Sequence, residues 1–109
     1  MGNQLILAYD IGTSSVKTSL VTETGEVYAS AKCDYDTHHP EPGISEQNPG
    51  DWWKCACKTT KTLLEQKPDA GKRIAAIGVS GHMLGCVPVN EKCEALHAAL
   101  IHSDSRAGA

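Results

Sequence analysis
The sequence contains no phenylalanine, and its only aromatic residues are two Trp and three Tyr. Any core it builds must be aliphatic and small. It also lacks an excess of positive charge. Ten Lys and Arg against thirteen Asp and Glu leave a net charge of −3. That excludes the basic footprint of a nucleic-acid binder and a polybasic membrane-surface module. No apolar run approaches the ~20 residues a membrane span needs. Met1 to Gln4 leads straight into Leu5 to Ala8, without the basic and long apolar regions of a signal peptide. Gly2 stands at a myristoylation position, but Ile6 occupies the place where that motif wants Ser or Thr. Neither a GxxxxGK[ST] loop nor a GxGxxG fingerprint is present, which sets aside two large nucleotide-binding classes.

What is present fits one small domain of 109 residues. A domain of that size buries only ~60–68% of its unfolded surface, so the loss of any neighbour is felt. The five cysteines, at 33, 55, 57, 86 and 93, are odd in number and show no framework spacing. Cys55 and Cys57 lie on a predicted helix, where their side chains diverge. All five read as reduced thiols of a cytoplasmic protein, packed as small apolar groups. His38-His39 before Pro40 reads as a solvated loop rather than a metal site.

Gln4 to Tyr9 is an apolar run ending at Asp10, the pattern of a short strand buried on both faces. Ile11 to Ser15 is turn chemistry. Val16, Thr18 and Leu20 then alternate with Lys17, Ser19 and Val21. After a loop at Thr22 to Gly25, Val27, Ala29, Ala31 and Cys33 alternate with Tyr28, Ser30 and Lys32. Residues 34 to 48 read as irregular. Asn48 can cap a helix, Pro49 suits its first position, and Asp51 places negative charge in its first turn. Trp53, Ala56, Cys57, Thr60, Leu63 and Leu64 form one stripe at helical spacing, and Pro68 ends the segment. Ile74 to Val79 reads as a second doubly buried strand. Cys86 to Val89 and Ala95 to Ile101 flank a turn as a hairpin, with Pro88 marking an edge or bulge. The order is β-β-β-α-β, then more β, which predicts an α/β fold with a mixed sheet.

One segment carries candidate chemistry. Asp10-Ile11-Gly12-Thr13-Ser14-Ser15 joins two strands. A tight turn of Gly and small hydroxyl residues can aim backbone N–H groups at one spot, as an anion nest. Thr13, Ser14 and Ser15 add hydroxyl donors, and Lys17 returns with a positive charge. Asp10 can hold Mg²⁺, which takes one or two carboxylates together with substrate phosphates. A plain hairpin whose Asp and Ser residues satisfy the turn accounts for this stretch slightly better when it is taken alone.

Four segments together resemble the start of an FGGY-family carbohydrate kinase, nearest its xylulokinase-like branch. They are Asp10 to Lys17, Glu46-Gln47-Asn48-Pro49-Gly50-Asp51-Trp52-Trp53, Ile77-Gly78-Val79-Ser80-Gly81-His82-Met83-Leu84-Gly85, and Asp104-Ser105-Arg106-Ala107. The resemblance implies an actin-like ATPase (ribonuclease H-like) core. Residues 1–109 would be the first part of the N-terminal domain, with the C-terminal domain absent. It implies ATP-dependent phosphorylation of a sugar, a pentulose such as xylulose or a related polyol, by a parent protein. The fragment itself would be inactive, since the family's catalytic base, an Asp, lies downstream. ATP and Mg²⁺ would be the cofactors, with Asp10, Gly12, Thr13, Ser14, Ser15 and Lys17 at the phosphates and Asp10 at the metal. Met83, Leu84, His102 and Asp104 would serve the sugar, with Arg106 in the same segment. Xylulokinase-like sequences usually carry His at Leu84, an aromatic at His102 and Gln at His82. The sugar-kinase class is therefore the firmer expectation.

In the resembling fold, the first and fourth strands are covered on both faces, partly by later helices. The chain supplies one clear helix, residues 49 to 66. A bare apolar face opposite that helix is expected, and with it a homo-oligomer. Competing readings are a sugar-responsive regulator or chaperone-type ATPase of the same superfold, and a nuclease with the same element order. A nuclease wants several carboxylates at strand ends for two metals, and here Asp10 stands alone.

Overall fold
A computed structural model describes residues 3–108. Three strands follow one another antiparallel: β1 (Leu5–Ile11), β2 (Ser15–Thr22) and β3 (Val27–Asp34). A two-residue strand, β4 (Glu46–Gln47), precedes helix α1 (Pro49–Gln66). After a 3₁₀ turn at Ala70–Lys72, β5 (Ile74–Gly81) runs parallel to β1. The four long strands form one sheet in the order β3-β2-β1-β5. β6 (Ala99–Leu100) pairs antiparallel with β4 in a small second sheet.

The helix starts as its residue types dictate. Asn48 is the N-cap and its side chain accepts from the Gly50 amide at 2.9 Å, with Pro49 at the first helical position. Its inward face differs from the expected stripe. Cys55, Thr59 and Leu63 are the buried helix residues. Thr59 bonds the Thr18 hydroxyl at 2.7 Å, seating this ridge over β2 and β3. The expected stripe of Trp53, Ala56, Cys57 and Thr60 is turned about one residue further round, and its members line a groove instead. Leu5, Leu7, Leu20, Leu63 and Ala70 make the core. Each fully buried leucine there contributes about 1.5–3 kcal/mol.

The two apolar runs are not doubly buried. Along β1, Leu5 and Leu7 are buried while Ile6 on the other face is exposed. On β5, Ile77 and Val79 are 63% and 67% exposed. They sit beside Leu7 and Tyr9 in register, and so share the helix face. The helix lies mainly across β2 and β3 and reaches β1 through Thr60, which bonds the Tyr9 hydroxyl, and through Leu63, but it does not extend over β5. The bare apolar surface therefore lies beside the helix rather than opposite it. The opposite face carries small and polar residues such as Ser19, Ser30, Gly78 and Ser80.

Two further expectations need correction. The 86–101 hairpin reduces to isolated bridges, Cys86 to Leu100 and Val89 to Ala95. Pro88 cannot donate to a ladder, and Leu100, bonded to Cys86 on one side, pairs with Glu46 on the other. Residues 34 to 48 are thereby less irregular than their composition suggests. The cysteines are also not all reduced: Cys33 at the end of β3 and Cys55 in α1 are disulfide-bonded, with Cα atoms 5.4 Å apart. Cys57, Cys86 and Cys93 are free. A bridge between two elements packed face to face leaves no mark in local cysteine spacing.

Candidate functional site
β1 and β5 run parallel, so their carboxyl ends meet at one edge of the sheet. The turn 12–14 leaves from Ile11 and the segment 82–84 leaves from Gly81. The His82 amide donates to the Ile11 carbonyl at 2.9 Å, which ties the two exits together. Open α/β sheets place ligands at such strand ends.

Asp10 is exposed on the face away from the helix. It lies opposite Lys17 on β2 and Ser80 on β5. The Ser80 hydroxyl donates to Asp10 Oδ1 at 3.2 Å. Among the described residues Lys17 makes no ion pair, so the Asp10 carboxylate keeps lone pairs free. Ala8, Asp10, Lys17, Ser19, Gly78 and Ser80 line a depression of about 460 Å³ here. The larger groove, about 700 Å³, lies on the helix face among Ile11, Trp53, Ile77 and Val79. A phosphate needs donors and charge, so the smaller depression, the more polar of the two and lined by Asp10, Lys17, Ser19 and Ser80, suits the chemistry better than the larger apolar groove.

The turn itself is narrower in its donors than its composition suggests. The Gly12 amide donates to the Ser15 carbonyl at 2.9 Å, closing the turn. The Thr13 and Ser14 amides meet no acceptor among the described residues. Thr13 and Ser14 are exposed, whereas Ser15 is buried at the root of β2. Two amides and two exposed hydroxyls therefore face outward.

Two residues assigned no role from the sequence hold this turn. Gln47 is fully buried; its Nε2 donates to the Thr13 carbonyl at 2.6 Å, and its Oε1 accepts from Trp52 Nε1 at 2.9 Å. The Tyr35 hydroxyl donates toward the Gly12 carbonyl and lies 3.1 Å from that of Ser15. Burial pushes its pKa up, and the nearby Asp10 charge adds to the effect. The one available signal for Gln47 was its place in the Glu46 to Trp53 segment, directly before the helix cap.

On the other side of the site, Met83 and Leu84 are 74% and 82% exposed. They are displayed rather than packed. Leu84 adopts φ 62°, a left-handed conformation that costs a non-glycine residue about 1–2 kcal/mol. His82 stands edge-on to Trp52, with ring centroids 5.1 Å apart. Its Nδ1 is buried without a partner. Burial lowers the His82 pKa, and the charge of His102 lowers it further. His102 is exposed.

Asp104 faces protein, not an opening. Its Oδ2 accepts from the Ser45 amide at 2.8 Å and from Arg106 Nη2 at 2.7 Å. The Arg106 guanidinium holds its carboxyl well below the usual carboxylate range. No group of three or more His, Cys, Asp or Glu side chains could hold a metal among the described residues. No helix of the described residues is long and apolar enough to cross a membrane.

Residues 5–109 match the FGGY family of carbohydrate kinases, N-terminal domain. The chain is 31% identical over 106 residues to a xylulose kinase of Staphylococcus epidermidis, covering 97% of this chain and 21% of that protein. It is 34% identical over 101 residues to the xylulose kinase of Bacillus subtilis, covering 93% and 20%. The crystal structure of a xyloylose kinase from Brucella ovis superposes with a TM-score of 0.91 at 31% identity, over 94% of this chain and 22% of that one. The chain thus spans about a fifth of the length of the curated relatives it matches. The mixed sheet is that of the actin-like ATPase fold shared by these neighbours. The matches do not favour a regulator, a chaperone-type ATPase or a nuclease.

Proposed function
The chain belongs to the FGGY family of carbohydrate kinases, and we propose that its parent protein transfers the γ-phosphate of ATP to a hydroxyl of a sugar. A pentulose such as xylulose, or a related polyol, is the substrate class. The chain would be the first part of the N-terminal domain, supplying one wall of the phosphate site and one of the sugar site. The observation that carries this reading is the exposed Asp10 carboxylate, bonded only by Ser80, beside an outward-facing turn at the end of the sheet where segment 82–84 also emerges.

Phosphoryl transfer needs positioned donors and charge around the phosphates more than covalent chemistry by the protein. The Thr13 and Ser14 amides and their hydroxyls would bind phosphate oxygens, with Lys17 adding charge and Gly12 keeping the turn tight. Ser15 would act through its backbone. A lone, incompletely bonded carboxylate fits Mg²⁺, which keeps waters and takes phosphate oxygens as its other ligands. When bound, Mg²⁺ would neutralise phosphate charge, and Asp10 is the residue of this chain that would hold it. Met83, Leu84 and His102 would contact the sugar, and Asp104 would shape that pocket by fixing the backbone of Ser45. The working protein would be cytoplasmic and homo-oligomeric, and the 109-residue chain alone would not turn over.

The test is ATP-dependent phosphorylation of pentuloses and polyols by the parent protein, with Asp10→Asn beside it. That change keeps shape and removes charge. We expect kcat to fall on the order of 10²-fold, with the melting temperature unchanged because Asp10 is exposed. Near-normal turnover by the variant would sink the Asp10 assignment.

A further inference from the structure
Behind the β1–β2 turn, two side chains grip consecutive carbonyls. Gln47 is 1% exposed. Its Nε2 donates to the Thr13 carbonyl at 2.6 Å and to the Thr37 hydroxyl at 2.8 Å, while its Oε1 accepts from Trp52. Both polar side-chain atoms of Gln47 are therefore engaged within the protein. The Tyr35 hydroxyl donates toward the carbonyl one residue earlier, that of Gly12.

The direction of these bonds has a chemical consequence. A trans peptide unit is planar, and its C=O and N–H point opposite ways. Holding the Gly12 carbonyl inward turns the Thr13 N–H outward. Holding the Thr13 carbonyl inward turns the Ser14 N–H outward. These are the same two amides that find no acceptor among the described residues. A carbonyl that accepts a hydrogen bond also polarises the N–H of its own peptide unit, making it a stronger donor.

We propose that Tyr35 and Gln47 are positioning residues that aim the Thr13 and Ser14 amides at a phosphate group, one residue for each amide. This rests on the kinase reading of the turn. Both supports are anchored by their backbones: Tyr35 directly follows β3 and its amide donates to the Ser14 carbonyl at 3.1 Å, and Gln47 pairs with Ala99 in β4, one residue before the cap of α1. A donor pair held this way need not reorganise when the anion arrives.

The test is a ¹⁵N–¹H titration of the 109-residue chain with inorganic tripolyphosphate. In the wild type, the Thr13 and Ser14 amide protons should move downfield together. Tyr35→Phe should weaken the response at Thr13, and Gln47→Leu the response at Ser14, each with about a fivefold loss of affinity, as for one hydrogen bond. Gln47→Met guards against a packing defect: it keeps the side-chain length but has no donor for the Thr13 carbonyl, so it should reproduce the loss at Ser14. Thr37→Val removes a different Gln47 partner and should leave both amide responses intact. A wild type silent at both amides would overturn the phosphate role of the turn itself. A full wild-type response kept by Tyr35→Phe and Gln47→Met would overturn the positioning role alone.

Discussion

Arg106 forks around Asp104, its Nε lying 2.9 and 3.0 Å from the two carboxylate oxygens. Its Nη2 reaches on to Glu46 Oε2 at 2.6 Å. The Asp104 carboxylate also accepts the Ser45 amide. The segment after β6 is thus fastened to the strand before α1, and the 102–106 region keeps its place beside His82 by this strap.

The strap predicts a sign for acid stability. The Asp104 pKa is lowered in the folded chain from an ordinary value of 3.8. Its contribution is complete above that value and is lost as the pH falls below it. Asp104→Asn should therefore melt lower than the wild type at neutral pH, with the gap closing below pH 3.8. Melting curves from pH 7 down to pH 2 read this directly. A gap that stays constant to the acid end would show that the carboxylate charge is not what holds the segment.

His82 offers a second titration. Its pKa is lowered from 6.5, first by burial and then by the charge of His102. The neutral ring is the folded form, so this contribution is present above 6.5 and is lost as pH falls through the lowered value. An NMR titration should place the His82 midpoint below 6.5, and His102→Gln should raise it. A His82 midpoint at or above 6.5 would contradict the burial of this ring against Trp52.

How much of this was legible depends on the range of the cause. The long strands and α1 follow from local signals, namely alternation, the Asn48 cap and Pro49, and they stand where those signals put them. The rotation of the helix stripe was not local. Thr59 is buried because Thr18 offers it a hydroxyl from another strand, and no helical periodicity reports that. β4 and β6 are two residues each and exist only because they meet. At the site, Asp10 and the turn stood out by type, whereas Tyr35 and Gln47 act through carbonyls 20 or more residues away. Asp104 was grouped with the sugar residues, yet its bonds run to Ser45 and Arg106.

The Cys33–Cys55 bridge is testable without reference to activity. Alkylation before reduction, followed by peptide mass spectrometry, should find Cys57, Cys86 and Cys93 labelled and Cys33 joined to Cys55. The bridge encloses a 22-residue separation, so reduction should lower unfolding stability by about 3 kcal/mol. Denaturant curves with and without reductant supply that comparison. Labelling of all five thiols in unreduced protein would remove the bridge from the account.

The last prediction concerns the bare half of the helix face. β5 is an edge strand, and its sequence Ile-Ala-Ala-Ile-Gly-Val-Ser-Gly carries no charge and no proline. Those are the devices that ordinarily protect an edge from pairing. Beside it, Ile77, Val79 and the 74%-exposed Trp53 border the apolar groove of about 700 Å³. An edge strand of this kind can pair antiparallel with its own copy about a two-fold axis, the simplest closed arrangement for identical chains. Such pairing would continue the sheet and bring the two grooves together, removing both apolar surfaces from water. The 109-residue chain should therefore sediment as a dimer at low micromolar concentration. Val79→Lys should shift it to monomer, because a charge would be buried at the seam, and it should do so without lowering the melting temperature of the dilute monomer, since Val79 is largely exposed there. A wild-type chain that sediments as an 11.6 kDa monomer throughout, with cooperative unfolding, would show that the uncovered edge does not drive association.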